Sequence, residues 1–184
     1  MKTRKVLASP IKTDRLNLRK FQTGDENSLF TEYFGDWEAS KYLQRMPHKN
    51  ISQTKNMLEN WCGVNWEDPD KNFAWIVSDK KTDLALGIVL LFNKENCGEI
   101  HFGLGKKFQG QGFMQESLKA VITYLKNNST LERIETFCNA EHSRSKSALM
   151  KSGFTQTGIL KNWARFPLIG EDTRDCIHYY IEIN

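Results

Sequence analysis

Two closely spaced glycines, Gly110 and Gly112, stand in the stretch KKFQGQGFMQESL, which covers residues 106–118. Before them, residues 98–105 (GEIHFGLG) place apolar side chains at alternate positions, which predicts a strand. After them, apolar residues recur at positions 114, 118, 121, 122 and 125, the spacing of an amphipathic helix. The glycines therefore join a predicted strand to a predicted helix.

A turn of this kind can bind an anion. Its successive backbone N–H groups, together with the unsatisfied donors and positive dipole end of the helix, form a concave site for negative charge. Lys106 and Lys107 add positive charge beside it. The pattern favours a phosphate or pyrophosphate cradle, and the alternative is that the glycines only let the chain turn.

Different phosphate-binding patterns require different residues around the glycines. A Walker A loop is excluded because no Gly-Lys-Ser/Thr occurs in the chain. A dinucleotide fingerprint is weak because Gln115 stands where the last glycine of G-x-G-x-x-G belongs. The pattern Q/R-x-x-G-x-G/A matches Gln109 and Gly112, with Met114 in place of the usual small residue.

Size and charge limit the class of protein. With 184 residues the chain suits one domain with a sizeable core. We predict a leader over residues 1–10 and a single domain over residues 11–184. The net charge of +4 is too small to argue for nucleic acid, so no direct nucleic-acid binding is expected.

Cysteine and histidine usage predicts neither a metal site nor disulfides. The four cysteines contain no C-x-x-C pair, and the four histidines form no ligand-spaced pair. No apolar run approaches the roughly 18–20 residues needed to span a membrane, and the N-terminus lacks a signal-peptide core. We therefore expect a cytoplasmic protein without membrane contact.

The remaining pattern predicts the elements that position the glycine turn. Residues 13–21 and 175–183 are predicted as strands, residues 73–79 and 85–92 as a hairpin, and residues 133–138 as a further strand. Thr23 and Glu26 match a capping box opening a first helix toward Tyr33. A second helix is predicted over about 52–64, and a short one ends at Gly153. Residues 158–173 are expected to form a loop.

This order predicts a mixed α/β (α+β) fold. We expect one domain with a central mixed, mostly antiparallel sheet of six to seven strands, flanked by about four helices. No internal repeat or interdomain linker is visible.

Three segments together resemble the GNAT N-acetyltransferase superfamily, over residues 11 to about 182. TDRLNLRKF (residues 13–21) is similar to the opening of the branch containing the bacterial ribosomal-protein N-terminal acetyltransferases. EIHFGLGKKFQGQGFMQESL (residues 99–118) is similar to the acetyl-CoA motif of that branch, and HSRSKSALMKSGFTQTGIL (residues 142–160) to its N-x-x-S…G-F segment.

The resemblance implies acetyl-CoA as co-substrate, no metal, and a cofactor site. The strand residues Phe102, Gly103 and Leu104 would pair with the pantetheine amides. His142 stands where the family often has an asparagine contacting the cofactor. The backbone that would hold the pyrophosphate comprises Gln109, Gly110, Gln111, Gly112, Phe113 and Met114.

Acetyl transfer also needs a neutral amine and a proton for the departing thiolate. Glu99 is our candidate base, direct or through a water; the alternative is a solvent-facing strand residue. No tyrosine occurs between Asn139 and Phe154, where many GNAT enzymes place their proton donor. Ser145 matches the serine of the ribosomal-type motif and is the candidate to protonate or hold the sulfur; its alternative is a helix N-cap or first-turn residue.

The resemblance therefore predicts an acetyl-CoA-dependent N-acetyltransferase, monomeric or homodimeric, whose acceptor is a primary amine. The α-amine of a protein N-terminus, such as that of a ribosomal protein, is favoured. Alternatives are a small amine or an antibiotic as acceptor, or a non-catalytic acyl-CoA-binding module.

Overall fold

The computed structural model describes residues 6–68 and 70–183. Within them one sheet contains eight strands in the order β1-β2-β3-β4-β5-β6-β8-β7. The strands are β1 (Ile11–Lys12), β2 (Leu16–Arg19), β3 (Phe73–Asp79), β4 (Ala85–Lys94), β5 (Cys97–Leu104), β6 (Arg133–Asn139), β7 (Thr155–Arg165) and β8 (Thr173–Glu182).

Helices cover both faces of this sheet. The α-helices in the described residues are α1 (Asp25–Leu29), α2 (Trp37–Ser40), α3 (Ile51–Trp61), α4 (Phe113–Asn128) and α5 (Ser143–Lys151). A π-helical turn, Phe30–Phe34, continues α1, and short 3₁₀ turns occupy Val64–Glu67 and Lys106–Phe108. The mixed α/β single-domain prediction is confirmed.

The two faces of the sheet form separate apolar cores. The apolar stripe of α4, including Leu118 and Val121, packs with Ile100 and Leu104 of β5 in the main core. On the opposite face, Leu58 of α3 packs with Ile88 of β4 in a second core that also contains Tyr33 and Phe34. Leu91 of β4 pairs with Ile100 and shares its face of the sheet. Ile88 is three positions away from Leu91 on the same strand and therefore points to the opposite face, because side chains alternate along a strand.

Parallel pairing occurs at one position in the sheet. β5 and β6 run parallel, whereas every other neighbouring pair in the described residues is antiparallel. The connection between β5 and β6 is α4, because parallel neighbours need a crossover. The glycine turn lies at the start of that crossover, at the carboxyl end of β5.

The first helix starts differently from the prediction. The capping box at Thr23 and Glu26 is wrong, because the residue preceding α1 is Gly24, in the left-handed region at φ 108°. The N–H of Gly24 itself donates to the Glu26 carboxylate, 2.8 Å away. The local sequence could not distinguish the two, since a glycine is also a good N-cap.

The predicted loop over residues 158–173 is also wrong. Residues up to Arg165 belong to β7, which pairs with β8 along most of its length. The sequence did not predict this strand because it lies at the edge of the sheet. Most side chains there are exposed, so apolar and polar residues need not alternate. The two-residue β1 was not predicted either, and it brings the sheet to eight strands.

The N-terminal residues pack on the domain as far as the structure describes them. Residues 1–5 of the expected leader lie outside the described part of the chain. Val6 is buried in the main core, and the Ser9 carbonyl accepts a hydrogen bond from the Trp75 indole at 2.8 Å. The segment 6–10 therefore covers the sheet near Trp75.

Candidate active site

The parallel strands β5 and β6 separate beyond their first residues. Their pairing runs only over Cys97↔Arg133, Gly98↔Ile134 and Glu99↔Glu135. Beyond Glu99, β5 remains paired with β4 on its other side but has no sheet partner on the β6 side within the described residues. The backbone groups there are available to hydrogen-bond an extended ligand, as an exposed strand edge does.

The glycine turn stands at the open end of this gap. Gly110 and Gly112 have φ values of 77° and 79°, which glycine adopts without the strain that a Cβ would bring. α4 begins at Phe113, immediately after Gly112. The turn therefore places the helix N-terminus, with its unsatisfied N–H groups, beside the gap.

Met114 faces the protein interior. It is buried in the main core. The unusual residue in the Q-x-x-G-x-G/A pattern is thus accommodated by packing, and its backbone N–H remains in the first turn of α4.

The charges beside the glycine turn differ from the sequence expectation. Lys106 forms an ion pair with Glu38, and Lys107 with Glu32 at 2.6 Å. Their charges are therefore largely balanced by acidic residues near α1 and α2. Two arginines also contact the turn: Arg144 donates to the Gln109 side chain at 2.7 Å and Arg15 to the Gln111 carbonyl at 3.0 Å. The charge of Arg15 is itself paired with Glu116, at 2.7 Å.

A cleft of about 800 Å³ connects the gap, the glycine turn and α5. The predicted site residues that line it are Phe102, Gly103, Leu104, Gln109, Gly110, Gly112, Phe113, Met114, His142 and Ser145. Gln111 lies outside this lining and uses its side chain to donate to the Lys107 carbonyl at 3.0 Å. The structure therefore brings nearly all of the predicted residues to one surface.

His142 and Ser145 reach the cleft from the start of α5. His142 is the residue preceding the helix, and its ring stacks on Tyr42 with centroids 4.4 Å apart. Burial lowers the pKa of His142 to about 4, so the imidazole is neutral at physiological pH. Ser145 lies in the first helical turn, and its hydroxyl contacts the Cys138 thiol of β6 rather than capping the helix.

Glu99 lies where the gap closes, and its carboxylate is already engaged. It contacts His101 Nε2 at 2.7 Å and forms an ion pair with Lys94. The hydrogen bond from His101 and the Lys94 contact, acting against desolvation, lower the pKa of Glu99 to about 2. Glu99 is therefore a carboxylate at any physiological pH, with little tendency to take up a proton.

Aromatic side chains extend the surface around His101. Its ring makes edge contacts with Phe92 and Phe137, whose centroids lie 5.7 and 5.1 Å away. Phe137 in turn contacts Trp163 of β7 at 6.1 Å. Trp163 is 54% exposed, so the row ends at a large apolar side chain open to solvent.

The family model described as "Acetyltransferase (GNAT) domain" matches residues 15–155. The chain belongs to the GNAT acetyltransferase family. It is thus an acetyltransferase, and the matched range contains the parted strands, the glycine turn and α5.

Relatives agree with this assignment. The chain is similar to an uncharacterized N-acetyltransferase p20 of Bacillus licheniformis, at 29% identity over 83% of this chain and 86% of the relative. A ribosomal-protein-serine acetyltransferase of Escherichia coli (strain K12) is 28% identical over 56% of this chain and 57% of its own length.

Solved structures share the fold. A GNAT-family acetyltransferase from Bacillus anthracis superposes with a TM-score of 0.82, at 22% identity, over 95% of this chain and 99% of its own. The ribosomal L7/L12 α-N-protein acetyltransferase RimL, in complex with coenzyme A, gives 0.80 at 18% identity, over 95% and 98%.

The structure also places two tyrosines in the GNAT cleft that the sequence reasoning did not select. Tyr33, from the π-helical turn, and Tyr42 both line it. The stretch after β6, where many GNAT enzymes have a tyrosine, is about 100 residues away from them in the chain. No local motif marked either one, because their position depends on how α1 and α2 pack over β5.

Other site classes find no support in the described residues. Within 6–68 and 70–183, no group of three or more His, Cys, Asp or Glu side chains could hold a metal ion. In the same part of the chain, no helix has the length and apolar character required to cross a membrane. The described cysteines are all free.

Proposed function

We propose that this GNAT enzyme binds acetyl-CoA in the cleft and transfers the acetyl group to the α-amine of a protein N-terminus. The cofactor's pantetheine would follow the unpaired edge of β5 at Phe102, Gly103 and Leu104, and its pyrophosphate would bind the N–H groups of the turn from Gln109 to Met114. His142 would form part of the wall beside the cofactor.

The proposal of an α-amine acceptor depends mainly on the hydrogen bond and ion pair that the Glu99 carboxylate already forms. A lysine amine, with a reference pKa near 10.4, requires roughly 4 kcal/mol for deprotonation at pH 7.5, whereas an α-amine requires under about 1 kcal/mol. With its pKa at about 2, Glu99 is a poor acceptor for the proton of a lysine ammonium. An α-amine that is already partly neutral suits this face better.

Charge balance also disfavours a polyamine acceptor. A polycation would require carboxylates whose charge is not already compensated. Glu99 is paired with Lys94 and His101, and Glu135 is paired with Arg133 at 2.7 Å. These two carboxylates are thus paired with the protein's own cations.

The names of similar proteins also support a protein N-terminus as the acceptor. Enzymes named for acetylating ribosomal proteins occur both among the sequence relatives and among the structures of the same fold. We therefore favour an N-terminal serine or alanine of a protein over a free small amine.

Matched peptides test the acceptor. One peptide has a free N-terminus and an acetylated lysine, and its partner has a blocked N-terminus and a free lysine. Thiol release and mass spectrometry should show the first acetylated at least about tenfold faster at pH 7.5, because its amine is far more often neutral. A third peptide, with both a blocked N-terminus and an acetylated lysine, is the control. Equal rates for the two peptides, or faster acetylation of spermidine, would refute the N-terminal assignment and leave the family membership intact.

Ser145 should assist the departure of the thiolate. Ser145 lines the cleft, and its hydroxyl would turn from the Cys138 thiol to donate to the sulfur. A hydrogen bond to a charged group contributes about 1.5–3 kcal/mol. Ser145→Ala should therefore lower kcat by roughly 10- to 100-fold. The dissociation constant of acetyl-CoA should stay within about threefold.

The matched control for this change is Ser152→Ala. Ser152 ends the same helix, and its hydroxyl donates to the Ala148 carbonyl at 2.7 Å, away from the cleft lining. A kcat loss below about threefold in Ser145→Ala would contradict a role for Ser145 at the sulfur.

A further inference from the structure

The gap between β5 and β6 opens to both faces of the sheet. On the face covered by α4, here called the α4 face, the cleft is lined by Phe102 and Leu104, and α5 packs there through Leu149. Gly103 belongs to the opposite face, here called the α3 face, because it pairs with Ile88 of the second core. Since Gly103 also lines the cleft, a ligand can enter the gap from either side.

The α3 face is the side left to the acceptor. The proposed cofactor path lies on the α4 face, where the glycine turn and α5 are, so the attacking amine approaches from the other side of the gap. His101 is the residue of β5 that precedes Gly103 on the α3 face, roughly 6–7 Å away along the strand. The side chains around His101 therefore lie next to the route of the acceptor.

An aromatic row crosses the gap on the α3 face, and its members are Phe92, His101, Phe137 and Trp163. β5 and β6 stop pairing after residues 99 and 135, and His101 and Phe137 follow those residues by two positions. Their rings touch edge to edge at 5.1 Å, so side chains span the gap that the two backbones leave open. The row thus forms a floor beside the cleft.

A bulge in β7 turns Trp163 onto this row. β7 has three residues between positions 160 and 164, whereas β8 has one between the partner positions 176 and 174. Ala164 is buried with Cys176 in the small cluster that also includes Phe137. Regular alternation would place its neighbour Trp163 on the opposite face. The indole instead contacts the Phe137 ring, so the bulge determines where it points.

The bulge is held by its own contacts. Asn162 lies within it at φ 47°, in the left-handed region that few residues other than glycine adopt. The Asn162 N–H donates to one oxygen of Asp175 at 3.0 Å, and Lys161 pairs with the other oxygen at 2.6 Å. Bulges often re-aim a side chain next to an active site. This one holds an indole that is 54% exposed at the end of the row.

The row offers apolar contact rather than charge. Glu99 and Glu135, which lie on the same face, are paired with Lys94 and Arg133. An aromatic or large aliphatic side chain that covered the exposed indole would remove apolar surface from water and gain ring contacts. A basic side chain would lose hydration without gaining the charge of either carboxylate.

We propose that Trp163 and Phe137 bind the side chain of the residue that follows the reacting amino group, and that they select an aromatic or large aliphatic residue there. This proposal rests on the proposed transfer to a protein N-terminus. With the amine at the gap near Gly103, the second residue is the first that can extend onto the floor, because an extended chain advances about 3.3 Å per residue. Trp163 is thus a specificity-determining residue.

Two peptides that begin Ser-Phe and Ser-Gly, otherwise identical and with acetylated lysines, test the proposal. The wild-type enzyme should acetylate the Ser-Phe peptide with a kcat/KM at least about tenfold higher, the usual discrimination of an apolar subsite. Trp163→Ala should reduce that ratio to below about threefold, mainly through KM, because a uniform binding contact affects KM and not kcat. The dissociation constant of acetyl-CoA, measured by calorimetry, should stay within about threefold.

Ile159→Ala is the matched control. Ile159 is 55% exposed on the same strand, but it pairs with Ile177 of the main core and therefore lies on the α4 face. Its replacement should leave the Ser-Phe to Ser-Gly ratio within about twofold of wild type. Trp163→Phe keeps an aromatic ring at the bulge and should retain a ratio above about fivefold.

Two results with peptides would overturn the proposal. One is a ratio in Trp163→Ala within about twofold of the wild-type ratio. The other is a wild-type enzyme that acetylates Ser-Gly or Ser-Lys peptides as efficiently as Ser-Phe.

Failure of the α-amine assignment gives a different result, in which no peptide is acetylated at its N-terminus but a small amine is acetylated. The aromatic row is then tested with 2-phenylethylamine and ethylamine. A preference for the aromatic amine that Trp163→Ala abolishes would support binding at the row, whereas an unchanged or absent preference would overturn it.

Discussion

Replacing Asp25 with alanine should lower the free energy of unfolding by about 3–5 kcal/mol, the usual effect of removing one partner from a buried ion pair. Arg19 is only 9% exposed and donates to both oxygens of Asp25, at 2.8 and 3.0 Å. Without Asp25, the guanidinium would remain buried with part of its charge uncompensated. Urea unfolding monitored by circular dichroism measures the change.

Asp83 provides the matched control for this prediction. It binds the same guanidinium at 2.8 Å, but its side chain is 48% exposed. Asp83→Ala should therefore lower the free energy of unfolding by no more than about 1–2 kcal/mol, since water can replace an exposed partner. A loss below about 1 kcal/mol for Asp25→Ala would show that the pair is not effectively buried.

This ion pair also supports one wall of the cleft, because Tyr33 lines it. Arg19 is on β2 and Asp25 begins α1, the helix whose continuation carries Tyr33. Weakening the pair releases the helix start from the sheet. We therefore expect Asp25→Ala to lower kcat more than Asp83→Ala does. Both variants are assayed at temperatures where they remain folded.

Gly112→Val should weaken acetyl-CoA binding at least tenfold, about 1.4 kcal/mol. The glycine has a φ of 79°, which valine adopts only with strain, and a Cβ there would come within 3.4 Å of Arg15. The turn would change its backbone and move the N–H groups that are proposed to hold the pyrophosphate. Calorimetry with acetyl-CoA measures the affinity.

A loss of affinity must be separated from a loss of folding. Gly24 also has positive φ, 108°, and in the described chain no atom beyond Gly24 and its two chain neighbours lies within 4 Å of the Cβ position. Gly24→Val imposes comparable backbone strain away from the cleft, so it should destabilise the protein but leave affinity within about threefold. Unchanged affinity in folded Gly112→Val would refute the cradle.

Much of the fold could be predicted because its signals are local. The strand-to-helix turn at Gly110 and Gly112 follows from side-chain period and from the conformational freedom of glycine, which neighbours in sequence determine. The second helix was predicted over about 52–64 and lies at Ile51–Trp61. β7 was missed because an edge strand is defined by backbone pairing, which leaves little trace in its side chains.

The chemistry depended on contacts that no spacing reveals. Glu99 was predicted as a base from its place on the strand, but Lys94 and His101 determine what proton it can take. Lys106 and Lys107 looked free to bind phosphate, but Glu38 and Glu32 lie across from them. In each case the partner decides the charge state, and tertiary packing decides the partner.

The sequence by itself determined that a glycine turn with free N–H donors follows a strand and opens a long helix, and its three family-like segments determined the acetyltransferase family. Only the tertiary structure decided where β5 leaves β6 and which side chain meets the exposed edge. Tyr33 and Gly103 are 70 positions apart, and their contact arises because a π-helical turn and the sheet are pressed together by a shared core. Local periodicity encodes the elements, whereas the meeting of distant residues depends on the packing of all of them at once.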